Sequence, residues 1–554
     1  MSTRSDRFYV TTSIPYVNAD PHLGHALELV QADVLARHRR LRGDEVRFQS
    51  GTDDNALKNV QAAQRAGLPV QEFVDIHAAS FERLCRELDI SHDDFIRTSR
   101  DPRHHSGAQR LWRACAESGD IYWRHYEGLY CVGCEQFYTP DELVDGRCPD
   151  HDTVPQLVSE ENWFFRLSRY QDQLLELLDS KRLRIEPAVR ANEVRAFIAG
   201  GLEDFSISRS VERTQGWGVP VPGDPTQVMY VWWDALGNYI TSLDYGESGT
   251  DAEAFRTWWS GAAGSGESDR NTTTLGLDDG PGTSAGHRRI HVIGKGILRF
   301  HAVYWPAMLL SAGLPLPTHI YVHDYLTVDG RKLSKSLGNV VDPLALVGDY
   351  GADALRWWLI AKVPKVGDTD FTIDRLIDAA NRDLAGGIGN LAQRVTSMVH
   401  RYRNGVVPKA PVHAHDTAQD ADIELLHTRC AQLSERIDAA LSGFDLRAAA
   451  AAITGVVNAA NRCIERTTPW ALAKAERAGD AEAGRRLDGV LETLVAALRV
   501  LSHELRPFVP TVAERLRRQC TEVAPGDTLP RPEGVFPRIE VGRKGEQELA
   551  GTPA

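Results

Sequence analysis

The chain has 554 residues, 42% of them apolar and 25% charged, a balance that suits a globular protein of three or four domains at about 100–200 residues each. Its 63 Lys and Arg against 76 Asp and Glu give a net charge of −13, which excludes a uniformly positive coat for nucleic acid but leaves room for a local basic track. No apolar run reaches the ~18 residues of a membrane span, and the polar N-terminus leads straight into a strand, unlike a signal peptide, so a soluble cytoplasmic protein is expected.

FYVTTSIPY (8–16), rich in β-branched and aromatic residues, predicts a strand. After NADPHLGH comes a periodic segment, ALELVQADVLARHRRLRG, which predicts a helix capped at Gly43. VRFQSG (46–51) predicts a second strand and ALKNVQAAQRAG (56–67) a second helix, the opening of a parallel α/β sheet. Residues 120–230 break this rhythm with short aromatic strands, clustered cysteines and turn pairs such as Pro140-Asp141 and Pro222-Gly223. Sheet-like patterning returns in RIHVIGKG (289–296) and HIYVHDYLTV (319–328), which points to one α/β domain interrupted by an insertion. Residues 245–287 are rich in Gly, Ser, Asp and Thr and read as a mobile surface insertion with only the Phe255–Trp259 patch docked. From about Asp374 onward the pattern predicts a helical bundle, followed by a last thirty residues expected to contribute little core. No internal repeat is present.

Five of the eight cysteines (Cys85, Cys115, Cys430, Cys463, Cys520) are scattered singly, which suits reduced thiols. Cys131, Cys134, Cys148 and His151 instead follow C-x2-C-x13-C-x2-H. Four soft or borderline ligands in two tight pairs meet the tetrahedral demand of one structural Zn²⁺.

Two further segments could do chemistry. Pro21-His22-Leu23-Gly24-His25 lies between the first strand and its helix, where unpaired amides and the positive dipole end suit a phosphate. Gly24 lets a base or phosphate approach the backbone, and two imidazoles three apart can donate to phosphoryl oxygens. Arg331-Lys332-Leu333-Ser334-Lys335-Ser336 follows a strand and the turn Asp329-Gly330, and two lysines on a polar loop can track a polyphosphate. Taken singly, each segment could equally be a solvated surface feature.

Together, in this order and about 300 residues apart in a split α/β pattern, they resemble the signature pair of class I aminoacyl-tRNA synthetases. YVTTSIPYVNADPHLGHALELVQAD, YVWWDALGNYITS, HVIGKGILRFHAVYWPAMLL and DGRKLSKSLGN sharpen this to a resemblance to the methionyl-tRNA synthetases, running from about residue 7 to about residue 520. The resemblance implies ATP-dependent activation of L-methionine to methionyl-adenylate, with Mg²⁺ accompanying ATP, then transfer to tRNA(Met). It assigns His22, Gly24, His25, Lys332 and Lys335 to catalysis, and His22, His25, Lys332, Ser334 and Lys335 to the ATP phosphates. It assigns Asp53 to the substrate ammonium group, and Ile14, Tyr16, Trp232, Ala235, Tyr239 and His301 to the rest of the methionine pocket. It implies that the zinc knuckle orders the insertion. It also implies that Asn390, Arg394, Pro469 and Trp470 read the anticodon, an exposed indole being suited to stack on an unstacked base.

The implied fold is a split Rossmann-like parallel-sheet domain (1–115 and 231–322) with a zinc-bearing insertion (116–230). A connecting region with the KLSKS loop (323–387), a helical anticodon-binding bundle (388–521) and a tail (522–554) follow. With no appended domain after the bundle, a monomer is expected that binds neither membrane nor DNA. Several positions depart from the family pattern: Asp54-Asn55-Ala56 for an acidic residue, His and Gly; Gly294-Lys295-Gly296 for Gly-Lys-Asp; His323-Asp324 for His-Gly; and Ile14. One carboxylate is lost and one gained, which suggests compensation in charge. These departures keep two alternatives open, a paralog that activates another amino acid or loads another carrier, and a catalytically inactive tRNA-binding protein.

Overall fold

In the computed structural model the described residues are 6–131, 136–149, 152–260, 287–332, 340–409, 420–520 and 525–540. They form two compact units, Met1–Arg86 with Ile90–Tyr325, and Glu87–Asp89 with Leu326–Ala554.

The first unit is organised by strands β1 (Arg7–Thr12), β2 (Glu45–Thr52) and β3 (Asp94–Arg97), with helices α1 (Leu23–Leu41), α2 (Leu57–Ala66), α3 (Val70–Glu87) and α4 (Pro102–Glu117) between and after them. Tyr9 and Val10 of β1 are fully buried, as expected for a central strand covered on both faces. The regular pairing of β1 ends at Thr12, short of the predicted end at Tyr16: the Ser13 N–H is shared between the Val292 carbonyl of β12 at 3.2 Å and the Glu28 carboxylate at 2.7 Å, and Pro15 has no N–H to give. Tyr16 still makes an isolated bridge to Asp53, so the predicted extension carries a site rather than a ladder.

The insertion contributes β4 (Ile121–Cys131), β5 (Gln136–Tyr138), β6 (Gln156–Phe165), β7 (Arg184–Glu186), β8 (Phe205–Ser206), β9 (Ser208–Ser210), β10 (Pro220–Val221) and β11 (Asp224–Met229). Its helices are α5 (Gln171–Asp179), α6 (Ala188–Ala199) and the single turn α7 (Val211–Thr214). The chain then runs through α8 (Val231–Thr241), β12 (His287–Gly294) and β13 (His319–His323). The main sheet has the order β3-β2-β1-β12-β13-β7, every pair parallel. From β1 the chain builds outward to β2 and β3, then restarts on the other side at β12. That reversal is a topological switch point, with its crevice outside the carboxyl ends of β1 and β12. β7 lies within the expected insertion yet supplies an edge strand of this sheet, a role its three residues did not reveal. β4 and β6 form the long hairpin of a separate antiparallel sheet, β5-β4-β6-β8. The Phe255–Trp259 patch docks as expected, both residues being fully buried, and Tyr245 is buried as well. Residues 261–286 of the expected mobile insertion lie outside the described residues.

In the second unit, β14 (Leu326–Val328), β15 (Arg331–Lys332) and β16 (Thr369–Asp370) form a small sheet. Helices begin at Pro343–Tyr350 and Ala352–Ala361, earlier than the predicted onset near Asp374. The first is capped by the Asp342 carboxylate, which accepts the Leu344 N–H at 2.8 Å. Arg356 is fully buried and donates to three backbone carbonyls, Phe508, Leu88 and Pro507, at 2.9–3.0 Å, which meets the cost of burying its charge. The long helices Asn390–Arg403, Leu446–Thr467 and Ala481–Glu504 carry the expected bundle. One expectation needs correction: the final segment does supply core, with Leu529 and Val535 buried and Asn381 exchanging two 2.8 Å hydrogen bonds with the Ile539 backbone. Two apolar anchors and a paired amide outweigh the segment's proline-rich composition. Among the described residues no helix is long and apolar enough to cross a membrane.

Candidate active site

The helix after β1 begins at Leu23, three residues before the apolar periodicity suggests, because His22 caps it. The Gly24 N–H donates to His22 Nδ1 and the His22 N–H donates to His25 Nδ1, both at 3.1 Å. This is a capping box built from two imidazoles instead of the usual hydroxyl and carboxylate. Because each Nδ1 accepts, the proton of each neutral ring sits on Nε2, which becomes the donor. The rings stack with centroids 3.8 Å apart, so the two donors belong to one face of the helix start. A Cβ on Gly24 would come within 2.9 Å of the His22 ring, so the glycine is needed for the cap itself as well as for ligand approach. A cavity opens here at the switch point, lined by Thr12, Ser13, His25, Glu28, Ser50 and Gly51 among others.

Beyond β2 the chain turns through Thr52 to Ala56. Asp53 is buried, its N–H bonded to the Pro15 carbonyl at 2.9 Å and its carboxylate accepting the Asn55 N–H at 3.1 Å. Burial pushes the Asp54 carboxyl above the usual carboxylate range, against the pull of Arg97. Asp54 accepts hydrogen bonds from Thr52, Ser99 and Arg97 at 2.6–3.0 Å and so anchors the turn from below. Asn55, a departure from the family pattern, donates through Nδ2 to Asp234 Oδ2 at 2.6 Å, tying this turn to α8. The Ala56 methyl is buried against Tyr230 and Val231, with Tyr16 and Trp232 packed beside it.

An aromatic cage adjoins Asp53. Trp232 meets Tyr16 edge-on at 6.2 Å, stacks on Phe300 at 3.7 Å and meets His301 edge-on at 6.3 Å. Tyr239 donates its hydroxyl to His301 Nε2 at 2.7 Å, while His301 Nδ1–H donates to the Ile297 carbonyl at 3.0 Å. Burial pushes His301 down to about 4, so its ring is neutral at physiological pH. The Trp232 Nε1–H is buried with no hydrogen-bond partner among the described residues. The structure brings Tyr16, Asp53, Trp232, Tyr239 and His301 together, with Ala235 buried one helical turn after Trp232. Ile14 lies half-buried two residues before Tyr16. Phe300 was missed by sequence reasoning, although its place beside His301 in RFHAVYW was a usable signal. Lys58, whose Nζ lies 3.8 Å from the Tyr16 ring centroid, carried no comparable signal.

The expected compensation in charge does not hold. Asp324 is ion-paired with Arg190 of α6, so its charge is met within the insertion. The space beside Gly296 is taken by the Tyr325 hydroxyl.

Lys332 ends β15 opposite Thr327, while Ser334 and Lys335 lie outside the described residues. Cys131 and Cys148 are both buried, in one cluster with Tyr138. Cys134 and His151 lie outside the described residues, and among the described residues no three side chains form a metal-holding group. In the second unit Trp470 is 49% exposed and follows buried Pro469 at the start of a helix. Asn390 is exposed, and Arg394, one turn later, donates to Asn461 at 3.0 Å.

The family described as tRNA synthetases class I (M) matches residues 8–156, 151–270 and 283–396. The chain belongs to this family. A methionine–tRNA ligase of Brucella suis is 40% identical over 96% of this chain and 98% of its own length, and one of Mycobacterium leprae is 39% identical over 96% and 95%. Among solved structures, Mycobacterium tuberculosis methionyl-tRNA synthetase in complex with methionyl-adenylate superposes with a TM-score of 0.85 at 37% identity, covering 96% of this chain and 100% of that one. The apo form of that protein gives 0.78 at 34% identity, covering 98% and 99%. As a member of the family the chain is an aminoacyl-tRNA ligase that uses ATP.

Proposed function

We propose that this chain is a methionine–tRNA ligase, which activates L-methionine with ATP and transfers it to tRNA(Met). The observation that carries this reading is the pairing of one buried carboxylate, Asp53, with an aromatic cage at the switch point of the sheet. A carboxylate receives the substrate ammonium, and the cage of Tyr16, Trp232, Phe300 and neutral His301, with Ile14, Ala235 and Tyr239 around it, suits an unbranched, polarizable thioether.

In the first step a methionine carboxylate oxygen attacks the α-phosphorus of ATP. The bond from that phosphorus to the bridging oxygen breaks, and pyrophosphate leaves. No protein nucleophile is needed, so catalysis rests on alignment and on donors placed where charge develops. His22 and His25 supply Nε2–H donors, and Lys332, Ser334 and Lys335 hold the leaving pyrophosphate. Mg²⁺ enters with ATP. In the second step a terminal ribose hydroxyl of the tRNA attacks the methionyl carbonyl and AMP leaves.

Cys131, Cys134, Cys148 and His151 hold one structural Zn²⁺ that orders the insertion. The burial of Cys131 and Cys148 in one cluster supports this, as does the thiol and imidazole donor set. Asn390, Arg394, Pro469 and Trp470 contact the anticodon. The domain boundaries given above complete the proposal, with the enzyme a cytoplasmic monomer. The test is ATP–pyrophosphate exchange across twenty amino acids, in which methionine alone is expected to support exchange. Exchange with another amino acid would make the chain a paralog of other specificity, and no exchange would leave a tRNA-binding protein without activation chemistry.

A further inference from the structure

Asp53 is held at both polar groups of its backbone. Its N–H donates to the Pro15 carbonyl at 2.9 Å, and its own carbonyl accepts from Asn59 Nδ2 at 3.0 Å. Its carboxylate accepts the Asn55 N–H at 3.1 Å, the local turn that a short acidic side chain makes with the residue two further on. The Asn55 side chain then donates to Asp234 Oδ2 at 2.6 Å, and Asp234 stands on α8 two residues after Trp232 and one before Ala235. The neighbouring Asp54 is fixed in the same manner, its N–H donating to Thr98 Oγ1 and its carbonyl accepting from the Trp217 indole, each at 2.8 Å.

Asn59 is the more telling of the two asparagines. It is fully buried on α2, whose other buried residues are Val60, Ala62 and Ala63, and its Oδ1 has no hydrogen-bond partner among the described residues. A buried acceptor left unpaired is a net cost, which an apolar residue at this position would not carry. Packing therefore gives no reason for an amide here, whereas the bond to the Asp53 carbonyl does.

We propose that Asn59 and Asn55 are positioning residues for the amino-acid substrate: they aim the Asp53 carboxylate at the substrate ammonium group and set its place against the aromatic wall on α8. The inference rests on the reading above, that Asp53 receives an ammonium. Asn59 fixes the peptide from which the carboxylate side chain springs, and Asn55 ties the turn to α8, so each acts through Asp53 rather than on the substrate itself. A displacement of about 1 Å is enough to spoil a short charge-assisted bond, so loosening either tie weakens the ammonium contact before it alters the shape of the cage.

The test compares L-methionine with 4-(methylthio)butanoate, its analogue without the ammonium group, on the full chain and on its Asn59→Leu and Asn55→Ala variants. Equilibrium dialysis of labelled methionine, with the analogue as competitor, reads both affinities without any catalytic step. Each variant is expected to raise the methionine Kd about 3- to 30-fold, part of the roughly 10- to 150-fold that one complete charge-assisted bond is worth, and to leave the analogue Kd within about twofold. An unchanged methionine Kd in both variants would overturn the proposal. So would an equal rise for the two ligands, with or without a fall in the urea midpoint, because that is the mark of a purely structural role. If Asn59→Leu does not fold, Asn55→Ala, which releases the turn from α8 instead, carries the same comparison. Wild-type protein that binds no methionine would remove the functional reading and the proposal with it, whereas wild-type binding with unmoved variants removes the proposal alone.

Discussion

Replacing Tyr239 by Phe removes a single oxygen from the wall of the aromatic cage. His301 Nδ1–H is committed to the Ile297 carbonyl at 3.0 Å, so Nε2 is the acceptor for the Tyr239 hydroxyl at 2.7 Å. Both residues are only 1% exposed, which leaves no solvent route by which the orphaned Nε2 could be satisfied without rearrangement. An unsatisfied buried acceptor costs about 1–3 kcal/mol, and the lost oxygen leaves too little space to add a large cavity term. The variant should therefore unfold about 1–3 kcal/mol more easily in denaturant titration. If His301 turns or recruits a water instead, the same energy is lost from the shape of the proposed methionine pocket. At 1.4 kcal/mol per decade this corresponds to a methionine KM raised about 5- to 150-fold in pyrophosphate exchange, with the ATP KM within about twofold. A Tyr239→Phe enzyme with wild-type stability and wild-type methionine KM would refute the assignment of this bond as the support of the cage.

Burial holds His287, His301 and His319 at about 4 and pushes His291 well below the usual imidazole range, while the unfolded chain takes up these protons near 6.5. Stability should be full above about pH 6.5 and fall steeply as pH drops towards 4, by several kcal/mol per pH unit at the steepest, and a flat urea midpoint from pH 7 to pH 5 would contradict these burials. Metal analysis of freshly prepared protein should find one zinc per chain and Cys148→Ser should lose it; zinc-free protein with an intact fold would remove the knuckle. Trp470→Ala should leave pyrophosphate exchange unchanged and lower charging of tRNA(Met) about 10- to 100-fold, the value of one stacked base. Equal loss in both assays would mean that Trp470 serves only the packing of the bundle.

The parallel sheet was legible because its central strands are apolar runs bounded by turn residues, and the site because its residues sit in long, ordered motifs. What could not be read follows from tertiary context. β7 has only three residues, Arg184–Glu186, too few for a periodicity, and is a strand because β13 offers it an edge. The start of α1 at Leu23 depends on two imidazole acceptors that no propensity scale anticipates. Asp324 reads as a gained charge until Arg190, 134 residues earlier, is seen to meet it. Trp232 and Tyr239 were foreseen as pocket residues, but the tautomer of His301 that their cage requires is visible only once the Ile297 carbonyl is placed.

Methionine joined to tRNA is the defining product, and charging of purified tRNA(Met) by the full chain with labelled methionine and ATP measures it directly. Methionine should be esterified to the tRNA at the terminal ribose, dependent on ATP and abolished when Asp53 is replaced by Ala. An enzyme that exchanges pyrophosphate with methionine yet leaves tRNA(Met) uncharged, or that charges it equally well without Asp53, would contradict it.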